Sequence, residues 1–184
     1  MQKLIIVGGK KLNGSINISG SKNATLPILA ASILSKNKVI IQNIPLVKDV
    51  ETMIDLLSLL GSKVKLVKKR KKIEILNSNK LNTFVPYKLV KTMRAGILVL
   101  GPLLARYNKA KVSLPGGCAI GSRPVDLHLE ALKKMGVNFK ISGGYINAIA
   151  KNGLIGSKIT FPKISVGATE NTMLAACLAK GKTI

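Results

Sequence analysis

A chain of 184 residues with 47% hydrophobic content can bury a core in one domain, or in one domain and a fragment of another, which excludes a disordered tail. Trp is absent and Tyr and Phe number three each, so the core is aliphatic, as suits packed helices and sheets. The formal charge of +23 sets 30 Lys and Arg against seven acidic residues, but the lysines are scattered and lack interleaved aromatics for base stacking. A coding bias toward Lys therefore accounts for the charge better than a nucleic-acid partner does. Cys118 and Cys177 have no CxxC spacing and His128 is the one His, which argues against a metal site. Leu4-Ile5-Ile6-Val7 is too short for a signal peptide, and no uncharged apolar run reaches ~18 residues. The expectation is a cytoplasmic protein with reduced thiols and no membrane partner.

In chain order, a strand ends near Ser19-Gly20 and a helix follows over 24–34, then a strand over 39–41. Apolar residues spaced by three and four predict a helix from Asp49 to the stop at Gly61. Strands at 64–66 and 73–75 flank Lys68-Lys69-Arg70-Lys71-Lys72, which reads as a solvated hairpin turn. A second helix and strand, 87–105 and 112–114, precede a helix from Pro124 to the stop at Gly136, and strands at 137–141 and 145–149 meet around Gly143-Gly144. The same order of elements thus recurs after about 75 residues. A third copy opens with a strand at 156–161 and a helix around Met173-Leu174-Ala175-Ala176-Cys177-Leu178, and is barely into its next strand at Lys182-Thr183-Ile184. The fold class expected is α/β, built of strand-helix-strand-helix-strand-strand units with the third incomplete. Because such units bury their faces against neighbours, the pattern suggests a truncated protein.

Chemistry is expected at the strand-to-helix turns. Leu114-Pro115-Gly116-Gly117-Cys118-Ala119-Ile120-Gly121-Ser122-Arg123-Pro124 combines three glycines, a thiol and a helix N-terminus that offers free N–H groups to an anion. Arg123 and the helix end are conditions that tune the Cys118 thiol, so although a lone Cys is more often structural, the Gly-rich setting makes Cys118 the candidate reactive thiol. Cys177, on an apolar helix face, is expected in the core. Lys22 and Asn23 stand where they can hold a phosphate, in a loop that matches neither GxxxxGK[ST] nor GxGxxG. Arg94, in an otherwise apolar helix, needs an anionic partner, either a ligand phosphate or a structural carboxylate. Pro162-Lys163-Ile164-Ser165-Val166-Gly167-Ala168-Thr169 occupies the place in the third unit that Ser21-Lys22-Asn23 occupies in the first. Repeated turns of this kind gather helix N-termini into a site for a multiply charged substrate. His128 reads as a helix-surface or packing residue, and no Ser-His-Asp set or paired carboxylates support hydrolysis.

The segments ISGSKNATLPILAA, PYKLVKTMRAGILVLGPLLAR, VSLPGGCAIGSRPVDLHLEALKKMG and SVGAT, in that order, resemble the UDP-N-acetylglucosamine enolpyruvyl transferases along essentially the whole chain. The Gly-rich Cys loop running into RPVDLH is specific to them; the sibling enolpyruvyl shikimate phosphate synthases lack it. The resemblance implies transfer of the enolpyruvyl group of phosphoenolpyruvate to the 3-hydroxyl of UDP-N-acetylglucosamine, the first committed step of peptidoglycan synthesis, with no cofactor. Cys118 would be the active-site thiol and the target of fosfomycin. Lys22 and Asn23 would bind phosphoenolpyruvate, and Arg123 would touch its phosphate as well as the UDP-sugar. Arg94, the run Arg123, Pro124, Val125, Asp126 and Leu127, and the run Lys163, Ile164, Ser165 and Val166 would bind the UDP-sugar. The implied fold is an inside-out α/β barrel of two lobes. Residues 1–20 would belong to the second lobe and 21–184 would form the first, cut short in its third unit. Family members are about twice this length, which makes a separate C-terminal half a possible partner and predicts an unpaired edge and exposed apolar surface here.

Overall fold

The computed structural model describes residues 3–91, 93–115 and 125–184, without the side chains of Arg70 and Arg94. Helix α1, Lys22–Ala31, begins at the Ser21 cap and runs into a 3-10 turn, Ser32–Leu34. Strand β1, Val39–Ile41, and helix α2, Lys48–Leu59, follow. Asp49 and Glu51 occupy the first turn of α2, where the helix dipole favours them, and Gly61 leaves it at φ +100°, a conformation that glycine adopts without strain. Strands β2, Lys63–Val67, and β3, Lys72–Leu76, close the first unit around the basic turn, in which Lys71 is left-handed.

The second unit comprises β4, Phe84–Val85; α3, Tyr87–Val90; α4, Leu100–Tyr107; β5, Lys109–Ser113; α5, Asp126–Lys134; β6, Asn138–Ser142; and β7, Tyr145–Ile149. Helix α6, Val166–Ala176, belongs to the third. The sheets repeat as the sequence does. One is ordered β1-β3-β2 and the other β4-β5-β7-β6, so β1, β3 and β2 correspond to β5, β7 and β6. The second sheet adds β4 parallel to β5, and among the described residues no strand fills the matching place beside β1.

The helices lie between the sheets. Leu29 and Ile33 from α1 and its 3-10 extension, Met53, Leu56 and Leu57 from α2, and Leu100, Leu103 and Leu104 from α4 are fully buried, together with Ile73, Ile75, Val112 and Ile146 from the strands. This core is aliphatic, as the composition requires. Asn77, also buried, takes Ser62 Oγ at 2.6 Å on its carbonyl and donates to Ser32 O and Ser35 O, which pins the end of β3 to the end of α1.

Four expectations are corrected. No strand ends at Ser19-Gly20: residues 3–21 form no helix or strand, and Leu4, Ile6, Leu12, Ile16 and Ile18 are at least 80% exposed, because no strand among the described residues pairs with them. The strand at 156–161 is reduced to one bridge, Ile155 with Lys180, and to bonds that tie Ser157 and Ile159 to Ile184. The single helix over 87–105 is three pieces, α3, a 3-10 segment Arg94–Val99 and α4, with Met93 extended between the first two. Gly96 weakens the middle piece, and Pro102 costs no helical hydrogen bond in the first turn of α4, which starts at Leu100. Cys177 is exposed at the C-cap of α6. The buried side of that helix is Ala168, Asn171, Thr172 and Ala175, and Cys177 lies one turn beyond the exposed Met173, whose carbonyl accepts from its thiol.

On the outer face of the first sheet, Glu74 receives Lys38 and Lys72, each at 2.7 Å. Hydrogen bonds from Lys38 first and Lys72 second lower its pKa from 4.5 to about 2. A carboxylate whose folded pKa is depressed adds stability that is complete above 4.5 and is lost as pH falls toward 2. Thermal unfolding followed across that window is expected to show a shallower loss of Tm with acid for Glu74→Gln than for the parent. At neutral pH the variant is the less stable of the two.

Candidate active site

Two helix starts are built alike. Ser21-Lys22-Asn23-Ala24-Thr25 opens α1 and Ser165-Val166-Gly167-Ala168-Thr169 opens α6. In each, the serine Oγ accepts from the alanine N–H at 3.3 Å, and the serine carbonyl accepts from the threonine N–H and hydroxyl. Such caps fix the first turn of a helix and leave its remaining N–H groups facing outward. Between the two starts lies an open cavity of about 580 Å³, within the range of ligand sites.

Its walls come from every unit. Lys22, Asn23 and Pro27 stand on α1, Asp49 on α2, Met93 and Ile97 before α4, His128 on α5, and Ile164, Ser165, Val166, Gly167 and Glu170 at the start of α6. Lys22 Nζ pairs with Asp49 Oδ2 at 2.9 Å, both about half-exposed, so an incoming anion can compete for the ammonium at little cost. Pro27 has no N–H to return to the Asn23 carbonyl, which leaves that acceptor without its usual helical donor. Burial pushes the Glu170 carboxyl above its ordinary pKa. His128 is buried, with Nδ1 3.1 Å from the Asn171 amide nitrogen.

The structure thus gathers Lys22, Asn23, Ile164, Ser165 and Val166 at one cavity. Val125, Asp126 and Leu127 lie at the start of α5 without lining it; Leu127 is buried, Val125 packs against the core and Asp126 is exposed. Lys163 is exposed beside it. Cys118, Arg123 and Pro124 fall outside the described residues, as does the Arg94 side chain, whose backbone opens the 3-10 segment. Sequence reasoning missed Asp49, His128 and Glu170 as cavity residues. His128 directly follows the RPVDL run and Glu170 directly follows SVGAT, so each was signalled by its neighbour.

Among the described residues no helix is long and apolar enough to cross a membrane. The chain is 63% identical to the UDP-N-acetylglucosamine 1-carboxyvinyltransferase of Pelagibacter ubique and 57% identical to that of Rickettsia prowazekii, across its whole length in both cases but only 43% and 44% of theirs. It therefore spans less than half the length of these relatives. Of solved structures, the enolpyruvyl transferase NikO from Streptomyces tendae superposes with a TM-score of 0.78 at 20% identity, over 96% of this chain and 41% of that one. An EPSP synthase from Acinetobacter baumannii superposes with a TM-score of 0.74 at 17% identity, over 92% and 39%. The α/β fold is thus that of the enolpyruvyl transferases. The family model described as EPSP synthase (3-phosphoshikimate 1-carboxyvinyltransferase) matches residues 6–184, and the chain belongs to that family.

Proposed function

We propose that this chain supplies the first lobe of a UDP-N-acetylglucosamine 1-carboxyvinyltransferase. The observation that carries the reading is the cavity itself, where the capped turns of the first and third units present Lys22 and Asn23 opposite Ser165 and Val166. Two helix starts and an ammonium facing one space suit a substrate pair with several phosphates and a carboxylate. The relatives' names support the UDP-sugar rather than shikimate phosphate as the acceptor, and the Cys118 loop agrees with that reading.

In the reaction the 3-hydroxyl of UDP-N-acetylglucosamine adds to C2 of phosphoenolpyruvate while C3 takes a proton, giving a phosphorylated ketal. Loss of a C3 proton with departure of phosphate then leaves the enolpyruvyl ether. Cys118 supplies the proton to C3. Lys22 and Asn23 hold phosphoenolpyruvate, and Arg123 its phosphate. Arg94, the 123–127 run and the 163–166 run hold the nucleotide sugar. We infer further that the protein acts in the cytoplasm, at the entry to peptidoglycan synthesis, and that Cys118 is the target of fosfomycin.

The remaining length of the relatives corresponds to a second lobe, and we infer that catalysis needs it. A site that positions reactants from one side only forfeits many orders of magnitude in rate. The exposed apolar residues of 3–18 and the face around Ile159, Phe161, Met173 and Ile184 are surfaces that such a second half would cover. The test is phosphate release from phosphoenolpyruvate and UDP-N-acetylglucosamine by the chain alone and with the separately produced C-terminal remainder of a relative. Silence alone and turnover on mixing is expected. Turnover by the chain alone would overturn the need for a second half, and silence in both would overturn the assignment.

A further inference from the structure

The two faces of the second sheet differ in chemistry. Val85, Ala110, Val112, Ile146 and Ala148 are buried against the helices, so strand alternation turns Phe84, Lys111, Tyr145, Asn147 and Lys140 to the side away from the helices. The register sets Phe84, Lys111, Asn147 and Lys140 in one row across all four strands. Of the three Tyr and three Phe in the chain, Phe84, Tyr145 and Tyr87 meet at the β4 end of that row. The Phe84 and Tyr145 rings stand 5.5 Å apart at 33°, with Lys111 Nζ 5.5 Å from the first and 5.2 Å from the second. The Tyr87 N–H donates to Tyr145 Oη at 3.5 Å. Phe84 is 38% exposed and Tyr87 51%. A chain so poor in aromatics that leaves these rings in water forgoes the largest burial its side chains could give.

None of the strands β4 to β7 contains an Asp or Glu. Among the described residues the ion pairs engage Lys22, Lys38, Lys48 and Lys72, so the exposed Lys109, Lys111 and Lys140 keep their charge uncompensated. The outer face of the first sheet is different, since Glu74 offsets Lys38 and Lys72 there and strands β1 to β3 hold no aromatic residue. Along the chain the lysines lack interleaved aromatics; across the strands of the second sheet they are interleaved.

We propose that the outer face of the second sheet binds single-stranded nucleic acid, with bases stacked on Phe84, Tyr145 and Tyr87 and phosphates on Lys109, Lys111 and Lys140. Single strands are held by aromatic platforms beside ammonium groups that track the backbone, and a duplex hides the base faces that stacking needs. An acidic protein segment would use the lysines and leave the rings without a partner. An entering base moves the Lys111 ammonium from the rings onto its own phosphate, exchanging an exposed cation–π contact for a stack and an ion pair. The proposal is independent of the transferase reading, because the cavity is walled by helices and their leading turns.

The chain has no Trp, so Phe84→Trp places a lone fluorescent reporter on this face. Its emission is expected to be quenched by oligothymidylate and unchanged by an abasic strand of the same length. In anisotropy titrations the parent chain is expected to bind oligothymidylate about tenfold more tightly than the abasic strand or a duplex. Phe84→Ala and Tyr145→Ala are each expected to lose about tenfold, while Tyr145→Phe keeps the ring and the affinity. The logarithm of the affinity should fall with that of salt at a slope of about −2, as for three phosphate contacts on a single strand, and Lys111→Ala should lower the slope by about 0.7. Equal affinities for the thymidylate, abasic and duplex probes would mean that net charge alone holds them, and would overturn the proposal. So would an affinity that survives both Ala variants, or one that Lys65→Ala on the first sheet reduces as much as Lys111→Ala does. The tryptophan signal decides the question whether or not either Ala variant folds: emission that the abasic strand quenches equally would also overturn it.

Discussion

Cys118→Ser is expected to cut phosphate release by the reconstituted enzyme by about 10²- to 10⁴-fold, the range associated with losing a positioned acid. A thiol near its reference pKa of ~8.5 gives a proton to carbon far more readily than an aliphatic hydroxyl does. The loop around Cys118, with three glycines, Arg123 and the start of α5, is the kind of setting that adjusts a thiol for such work. Serine keeps the size and the loop, so the affinity for UDP-N-acetylglucosamine, measured by calorimetry, is expected to stay within about threefold, inside the spread of a uniform binding change. A loss of affinity as large as the loss of rate would make Cys118 a structural residue of the loop. Wild-type rates in the serine variant would remove it from the chemistry.

The units were legible where local rules and tertiary packing agree. Helix α2 carries its acidic first turn and its glycine stop in the sequence, and the β6-β7 hairpin has alternation around Gly143 and Gly144, both at positive φ. Legibility failed where an element depends on something distant. Residues 3–19 alternate apolar and polar in places, yet a strand is made by its partner, and the place beside β1 stays empty among the described residues. The same holds for 156–161, whose pairing reaches only to Ile184. Cys177 was misplaced because α6 is apolar on both sides, and nothing local says which side meets α4 and α5.

The cavity was half legible for the same reason. Lys22, Asn23, Ser165 and Val166 were found because two units repeat one turn, and the shared Ser-x-x-Ala-Thr cap is the physical basis of that repetition. His128 and Glu170 escaped because each sits in an ordinary helical stretch and becomes a wall residue only when α5 and α6 pack together. An isolated histidine on an apolar face carries no mark of its partner when that partner, Asn171, is 43 residues away.

Gly101→Ala is expected to destabilise the fold by roughly 3 kcal/mol, the sum of an overpacked contact and a strained buried hydrogen bond. In an ordinary helix the change would stabilise, since alanine is the better helix former by about 1 kcal/mol. Here the sign reverses because α6 lies directly on the glycine. A Cβ at Gly101 would stand 2.6 Å from Asn171 Oδ1 and also press on the Asn171 carbonyl, and both belong to the buried middle of that helix. Neither can yield without carrying α6 away from α4, which would break the Gly101–Asn171 bond and release the amide from Ile97. Thermal unfolding is the measurement, and a domain of this size should lose about 10 °C for that energy. Gly96→Ala is the internal control: it meets only the Val90 side chain and Cα, no closer than 3.3 Å, and is expected to cost less than half as much. Equal losses for the two variants would mean that the glycines serve only the bend between α3 and α4, and that the close approach of α6 at Gly101 adds nothing to stability.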